Sequence, residues 1–306
     1  MKVLITGAAG QLGYALQQTA PRYWDDNTPV QLLPMTRATF DLSKPDRLAA
    51  QLDVYRPDAI INAGAYTAVD KAEADEHQAE RINAHAVDAI ARWCQRHKAP
   101  LVQISTDFVF DGKKSSPYLP DDQPNPMGVY ARTKRAGEIN ALNNCDFAYV
   151  VRTGWIYGEY GTNFVKTMLR LAAERDSLTV VSDQVGTPSY AINLAQMVWQ
   201  LLQRQPVQRI FHYSDAGVAS WYDFAVAIVY EAYAHGILHN LPKVIPINTG
   251  DYPTPAQRPA YSVLDKQATW SILDIEACHW RLGLIAMLEV YKKQLSCTCG
   301  VGESVK

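Results

Sequence analysis

The chain alternates between short apolar runs and longer stretches in which apolar residues recur every three or four positions. Runs of the first kind lie at Lys2–Thr6, Val30–Met35, Ala59–Asn62, Leu101–Ser105 and Ala148–Arg152. Their length and continuous apolar character predict strands buried on both faces. Glu76–His97 and Tyr130–Leu142 carry the helical period instead. Strand and helix in repeated order predict a parallel sheet with helices on both sides, because parallel neighbours need a crossover.

After about Trp155 the rhythm changes, with proline and glycine more frequent, yet Ile192–Gln203 and Arg209–Tyr213 read as one more helix and strand of the same sheet. The predicted division is therefore interleaved. Residues 1–155, rejoined by 191–215, form the main α/β domain; residues 156–190 and 216–294 form a smaller α/β lobe that binds substrate. The segment Tyr252-Pro253-Thr254-Pro255-Ala256-Gln257-Arg258-Pro259 reads as a stiff connector near a site. Residues 295–306, rich in Ser, Gly and Cys, are expected to be a disordered tail.

Composition narrows the function classes. With 48% hydrophobic and 20% charged residues, 306 residues can bury one large core, or one core with a second lobe beside it. A formal charge of −2 with interspersed signs offers no basic stripe, so a nucleic-acid partner is not expected. No uncharged apolar run approaches about 18 residues, so no membrane span is expected. Five cysteines without framework spacing, and a start that enters a strand at once, give the expectation of a cytoplasmic protein. Cys297 and Cys299 lack the further ligands a zinc site uses, the seven histidines lack metal-like spacing, and no metal site is expected. Trp199, Trp270 and Trp280 sit among apolar helical neighbours and are expected in the core, and His212 reads as structural.

The first strand run ends in Gly7-Ala8-Ala9-Gly10-Gln11-Leu12-Gly13. Glycines at this spacing allow a tight turn, close approach of backbone to a pyrophosphate, and close packing of helix on strand. The free N–H groups of the helix start, around Gln11 and Leu12, then face the anion. The fold class is thus a Rossmann-type doubly wound parallel sheet that binds a dinucleotide.

The second strand run ends in Thr36-Arg37, where an NAD-specific site carries an acid for the ribose 2′-OH. A hydroxyl and a guanidinium suit a 2′-phosphate, so NADPH is expected, with NADH as the alternative. Asp41, beside Leu42, could accept from the adenine amino group or cap the helix beginning near Pro45. Ala63-Gly64-Ala65-Tyr66 supplies small residues at the end of the third run, where backbone passes the cofactor.

Tyr130 and Lys134 stand four apart and share a helix face. Ser105-Thr106-Asp107 ends the preceding strand, which puts hydroxyls at the carboxyl edge of the sheet beside the cofactor. A nearby ammonium favours phenolate and should bring the Tyr130 phenol toward a useful range as the acid of a carbonyl reduction.

The glycine motif, the Thr106 hydroxyl and Tyr130-x-x-x-Lys134 together resemble the extended short-chain dehydrogenase/reductase family. Gly64–Glu73, Ser105–Gly112, Asn163–Met168 and Pro253–Pro259 resemble, within it, the dTDP-4-dehydrorhamnose reductases. The resemblance spans most of residues 1–293. It implies a dTDP-sugar substrate whose C4 ketone is reduced to give dTDP-L-rhamnose for cell-surface polysaccharide. It further implies Tyr130 as proton donor, Thr106 orienting the carbonyl oxygen, Lys134 holding the nicotinamide ribose, Asp107 and Trp155 on the deoxysugar, and Arg258 on the pyrophosphate.

The chain departs from the pattern twice. Phe108 stands where family members often have Tyr, and Ala15 and Ile192 stand where some relatives hold a bridging Mg²⁺ with glutamates. A magnesium-bridged dimer is not expected, and a monomer or weak dimer is. Two other readings share the scaffold: an epimerase or dehydratase, against which the lack of a second acid after Asp107 argues, and a non-catalytic NADP-binding regulatory subunit, against which Tyr130 and Lys134 argue.

Overall fold

Alternate residues of one strand face opposite sides of a sheet, so each apolar run can feed two cores at once. The computed structural model describes residues 1–299, with side chains to residue 296, and shows this sorting. Val3, Ile5, Ala59, Ile61, Val102, Ile104, Tyr149 and Val151 join one core under the helices Gln11–Gln18 and Ala191–Arg204. Leu4, Ile60, Leu101, Ala148 and Val150 face the other, under Pro45–Tyr55 and Ala86–His97.

Six strands build the sheet: Lys2–Thr6, Gln31–Met35, Ala59–Asn62, Leu101–Thr106, Ala148–Thr153 and Ile210–His212. They are called first to sixth below. All are parallel, in the spatial order second, first, third, fourth, fifth, sixth. The chain therefore leaves the first strand to one side and returns to the other, and a crevice opens between the carboxyl ends of the first and third strands. This is the doubly wound, Rossmann-type sheet.

A third core, with Tyr157, Met168, Leu169, Phe224, Ile228, Trp280 and Leu284, belongs to the smaller lobe. Its helices are Phe164–Glu174, Trp221–Ala234 and Trp280–Cys299. Its strands are short pairs, such as Ile156–Tyr157 on Ser189–Tyr190 and Ser177–Val181 on Lys243–Ile247. Residues 295–299 continue the last helix, which corrects the expectation of disorder from 295; residues 300–306 lie outside the described residues. Trp199 and Trp280 are buried, whereas Trp270 is only half-buried with Lys266 over its ring. Among the described residues no helix is long and apolar enough to cross a membrane.

The helix predicted over Glu76–His97 exists, but Arg81–His85 widens into a π turn. Such turns re-aim a side chain. Here Asn83 accepts from the Tyr66 N–H (2.9 Å) and donates to the Tyr66 carbonyl (3.2 Å) and the Thr133 hydroxyl (3.1 Å). One amide thus joins the end of the third strand to the helix Gly128–Asn144, which carries Tyr130.

Candidate active site

The crevice is a cleft of about 850 Å³. Gly7, at φ +64°, and Gly64 form its floor: a Cβ on Gly7 would lie 2.7 Å from Gly64 Cα. A Cβ on Gly13 would lie 2.2 Å from the Gly7 carbonyl oxygen, so the helix Gln11–Gln18 rests directly on the turn. Gly10, Gln11 and Leu12 line the same end, and the helix has no acidic residue in its first turn to oppose an anion. A backbone cradle this narrow fits a pyrophosphate, and larger side chains would fill it.

Thr36, Arg37, Asp41 and Leu42 line the far end. Arg37 is exposed and, among the described residues, makes no ion pair within the chain. Asp41 accepts from the Ser43 N–H (3.0 Å) and hydroxyl (2.8 Å) and lies 3.5 Å from Lys44. Burial pushes its carboxyl up, but the Ser43 bonds and Lys44 outweigh this and hold it below the usual range. It does not cap the helix Pro45–Tyr55, which has no side-chain cap.

Ala63, Gly64, Ala65 and Tyr66 pass along the middle of the cleft. Beneath them runs a buried ladder. Thr6 bonds to Asn62 and receives the Gly64 N–H (3.0 Å); Asn62 donates to Gln103 (2.6 Å), and Gln103 donates to the Ile104 carbonyl (2.8 Å). Lys134 Nζ reaches that same carbonyl at 2.6 Å. The lysine is therefore held from below by the strand ends, pointing at the cleft.

Thr106, Asp107, Tyr130 and Lys134 meet at the near end. Thr106 donates to Asp107 at 3.1 Å, and the Phe108 N–H caps back onto Thr106 at 3.2 Å, with the Thr106 hydroxyl near enough to the Tyr130 phenol to act on its ionisation. The Phe108 ring meets Tyr130 edge-on, 5.9 Å between centroids. Among the described residues no second acid stands there.

The expected effect of Lys134 on the phenol is not what the geometry produces. Burial pushes Tyr130 up to about 12, the Thr106 hydroxyl opposing and the Asp107 charge adding to it. Lys134 turns its charge on Ile104, and burial lowers it to about 8 against the pull of Glu138. Burial also raises Asp107 to about 6, although hydrogen bonds from Ser262 and Thr106 oppose this. Tyr130 is therefore kept as a proton-bearing phenol, the form an acid needs.

Trp155 lines the opposite wall at φ +51°, a conformation costly for a bulky residue and typical of sites that need it. It stacks on Trp221 at 3.5 Å with 4° between the ring planes. Trp221 also lines the cleft and is a residue that the sequence reading missed. Its signal was present: Ser220 and Asp223 form a capping box that puts Trp221 at the first turn of its helix. Gly161 and Thr162, also missed, bring the smaller lobe over Gln11, which accepts from Asn163 at 3.0 Å.

Arg258 is not brought into the cleft. Its guanidinium forms a fork on Asp70 (3.1 and 2.8 Å) and bonds Thr254 at 2.5 Å, so it latches the proline loop to the segment after the third strand. The Arg258 bonds hold the Asp70 carboxyl below its usual range. Glu73, three residues on, accepts the Val129 N–H (2.8 Å) and so caps the Tyr130 helix. His212 is structural: its ring bonds the Tyr118 carbonyl and Arg152, and burial lowers it to about 3.

Residues 1–293 match the family described as RmlD substrate binding domain. The chain belongs to that family. A dTDP-4-dehydrorhamnose reductase of Aggregatibacter actinomycetemcomitans is 40% identical over 92% of this chain and 97% of its own. That of Escherichia coli K12 is 38% identical over 94% and 97%. A crystal structure of a Clostridium acetobutylicum dTDP-4-dehydrorhamnose reductase superposes with TM-score 0.87 at 36% identity, covering 95% of this chain and 100% of that one. A Bacillus anthracis counterpart, in complex with NADP, gives 0.85 at 32%, covering 94% and 99%. In this RmlD-family chain, Ala15 is buried and Ile192 packs against two cores, so neither position offers an oxygen to a metal. Among the described residues no group of three or more metal-ligating side chains occurs.

Proposed function

We propose that the protein reduces the C4 ketone of dTDP-4-dehydro-6-deoxy-L-mannose to dTDP-L-rhamnose with NADPH, for cell-surface polysaccharide. The observation that carries this reading is the meeting of Thr106, Tyr130 and Lys134 at one end of a glycine-floored dinucleotide cleft. When bound, NADPH supplies hydride to the sugar C4. Gly7, Gly10 and Gly13 with the N–H groups of Gln11 and Leu12 hold its pyrophosphate. Ala63 to Tyr66 flank its middle, and Leu42 and Asp41 lie by the adenine end. Thr36 and Arg37 take the 2′-phosphate, and Lys134 the nicotinamide ribose.

Tyr130 gives its proton to the oxygen that becomes negative, and a developing alkoxide is more basic than a phenolate even near 12, so the transfer runs downhill. Thr106 fixes the carbonyl oxygen beside the phenol. Asp107 and the Trp155–Trp221 stack grip the deoxysugar, polar on one side and apolar on the other. Arg258 takes the diphosphate by exchanging the Asp70 carboxylate for a more highly charged anion.

The interleaved lobes divide this work, 1–155 with 191–215 for the cofactor and 156–190 with 216–294 for the sugar nucleotide. Buried free Cys94 and Cys145 suit the cytoplasm, and the apolar Ala15 and Ile192 suit a monomer or weak dimer. Purified protein should oxidise NADPH only when the ketosugar nucleotide is added. No oxidation with both present would refute the assignment.

A further inference from the structure

Tyr130, Lys134 and Glu138 follow one another at intervals of four and share one face of the helix Gly128–Asn144. The first two reach the cleft, and the third is fully enclosed at 0% exposure. Glu138 accepts from Ser105 Oγ (2.6 Å), from Arg152 Nε and Nη2 (2.9 and 3.0 Å) and from Arg135 Nη1 (2.7 Å). Ser105 precedes Thr106 on the fourth strand and lies in register with Arg152 on the fifth. One carboxylate thus ties the reactive helix to the strand end that presents Thr106.

A buried carboxylate between guanidinium groups could be a tether alone. Its neighbour on the helix face argues for more. Lys134 is 4% exposed and donates to the neutral Ile104 carbonyl, and among the described residues it has no ion pair. Tyr130 and Glu138 stand one turn to either side of it on the helix face; Ser105 from the fourth strand, Arg135 from the helix and Arg152 from the fifth strand gather on the Glu138 carboxylate, and Arg152 in turn meets neutral His212 from the sixth. Asp107 lies beyond the phenol. Among these, Glu138 is the anion whose charge opposes the effect of burial on the lysine.

We propose that Glu138 is a positioning residue of the reduction: its carboxylate fixes the Tyr130–Lys134 face against the Thr106 strand and keeps Lys134 in the ammonium form that grips the nicotinamide ribose. This rests on the role given to Lys134 above. Three groups then act in series along one helix face: Glu138 holds the charge of Lys134, Lys134 holds the cofactor, and Tyr130 delivers the proton.

The test is the pH dependence of NADPH affinity, followed by nucleotide fluorescence without any ketosugar, so it is independent of whether that sugar is the substrate. In the wild type, affinity falls as pH rises through about 8, where Lys134 loses its charge. Glu138→Gln keeps the shape and removes the charge, and should move this limb to lower pH by about one unit, roughly a fivefold loss of affinity at pH 8 that approaches tenfold above pH 9, with near-normal binding at pH 6. Arg135→Gln removes a half-buried cation from the same carboxylate, leaves the Arg152 pair intact, and should move the limb the opposite way. It decides the matter alone should Glu138→Gln not fold. A limb that stays in place, with affinity lowered equally at every pH or unchanged, would overturn the proposal and leave Glu138 a tether.

Discussion

Replacing Tyr130 by Phe removes one hydroxyl and little else. The ring keeps its edge contact with Phe108, and what is lost is the hydroxyl beside Thr106. General acid catalysis is worth about 10²–10⁴ in rate, or roughly 3–5 kcal/mol of barrier, and this is the expected loss in the chemical step. Cofactor affinity should stay within about twofold, because Lys134 is held by Ile104 and not by the phenol. The pH profile gives a second handle. With the phenol pushed up to about 12, its ionisation cannot set an alkaline limb near 8; that limb belongs to Lys134 and should persist in NADPH binding by the variant. The assay is single-turnover NADPH absorbance after rapid mixing with ketosugar nucleotide. A rate within twofold of wild type would refute the reasoning, since another group would then supply the proton.

Arg37→Ala should erase a preference for NADPH over NADH of about ten- to a hundredfold, from the 1.5–3 kcal/mol of a hydrogen bond to a charged group; equal ratios of kcat/KM in both proteins would contradict it. Arg258→Ala should raise KM for the sugar nucleotide about tenfold or more and leave that for NADPH unchanged, and an unchanged substrate KM would remove Arg258 from the diphosphate. Asp107→Asn should stabilise the protein above pH 7 and not at pH 4. The Asp107 carboxyl is raised from 3.8 to about 6, so the stability that its neutral form contributes is present below pH 4 and lost as pH rises through 6. The loss is about 3 kcal/mol, several degrees in thermal unfolding, and an Asn variant that melts with the wild type at pH 8 would refute it.

The sheet was legible because its strands are buried on both faces and so read as unbroken apolar runs, with the glycine turn marking where the first strand hands over to a helix. Tyr130 and Lys134 were legible because helical spacing fixes their common face. The smaller lobe was legible only as a change of rhythm and not in its strands, since pairs of two residues such as Val185–Gly186 and Ala219–Ser220 leave no period to read. The Asp70–Arg258 fork joins positions 188 apart, and nothing local announces it. The phenol went the other way from expectation because pairing on a helix face does not say which way an ammonium points. Here the Ile104 carbonyl, presented by the strand beneath, captures it. Trp221 carried a local signal in its capping box, but only the fold shows that this helix start opens on the cleft.

The central claim is reduction at the sugar C4 by the nicotinamide with Tyr130 as acid, and label transfer tests it most directly. With NADPH carrying deuterium at the transferable C4 position, NMR of the product should show one deuterium at sugar C4 for each NADPH consumed. A product without deuterium at C4, or sugar converted with no net consumption of NADPH as internal cycling by an epimerase would give, would contradict the account.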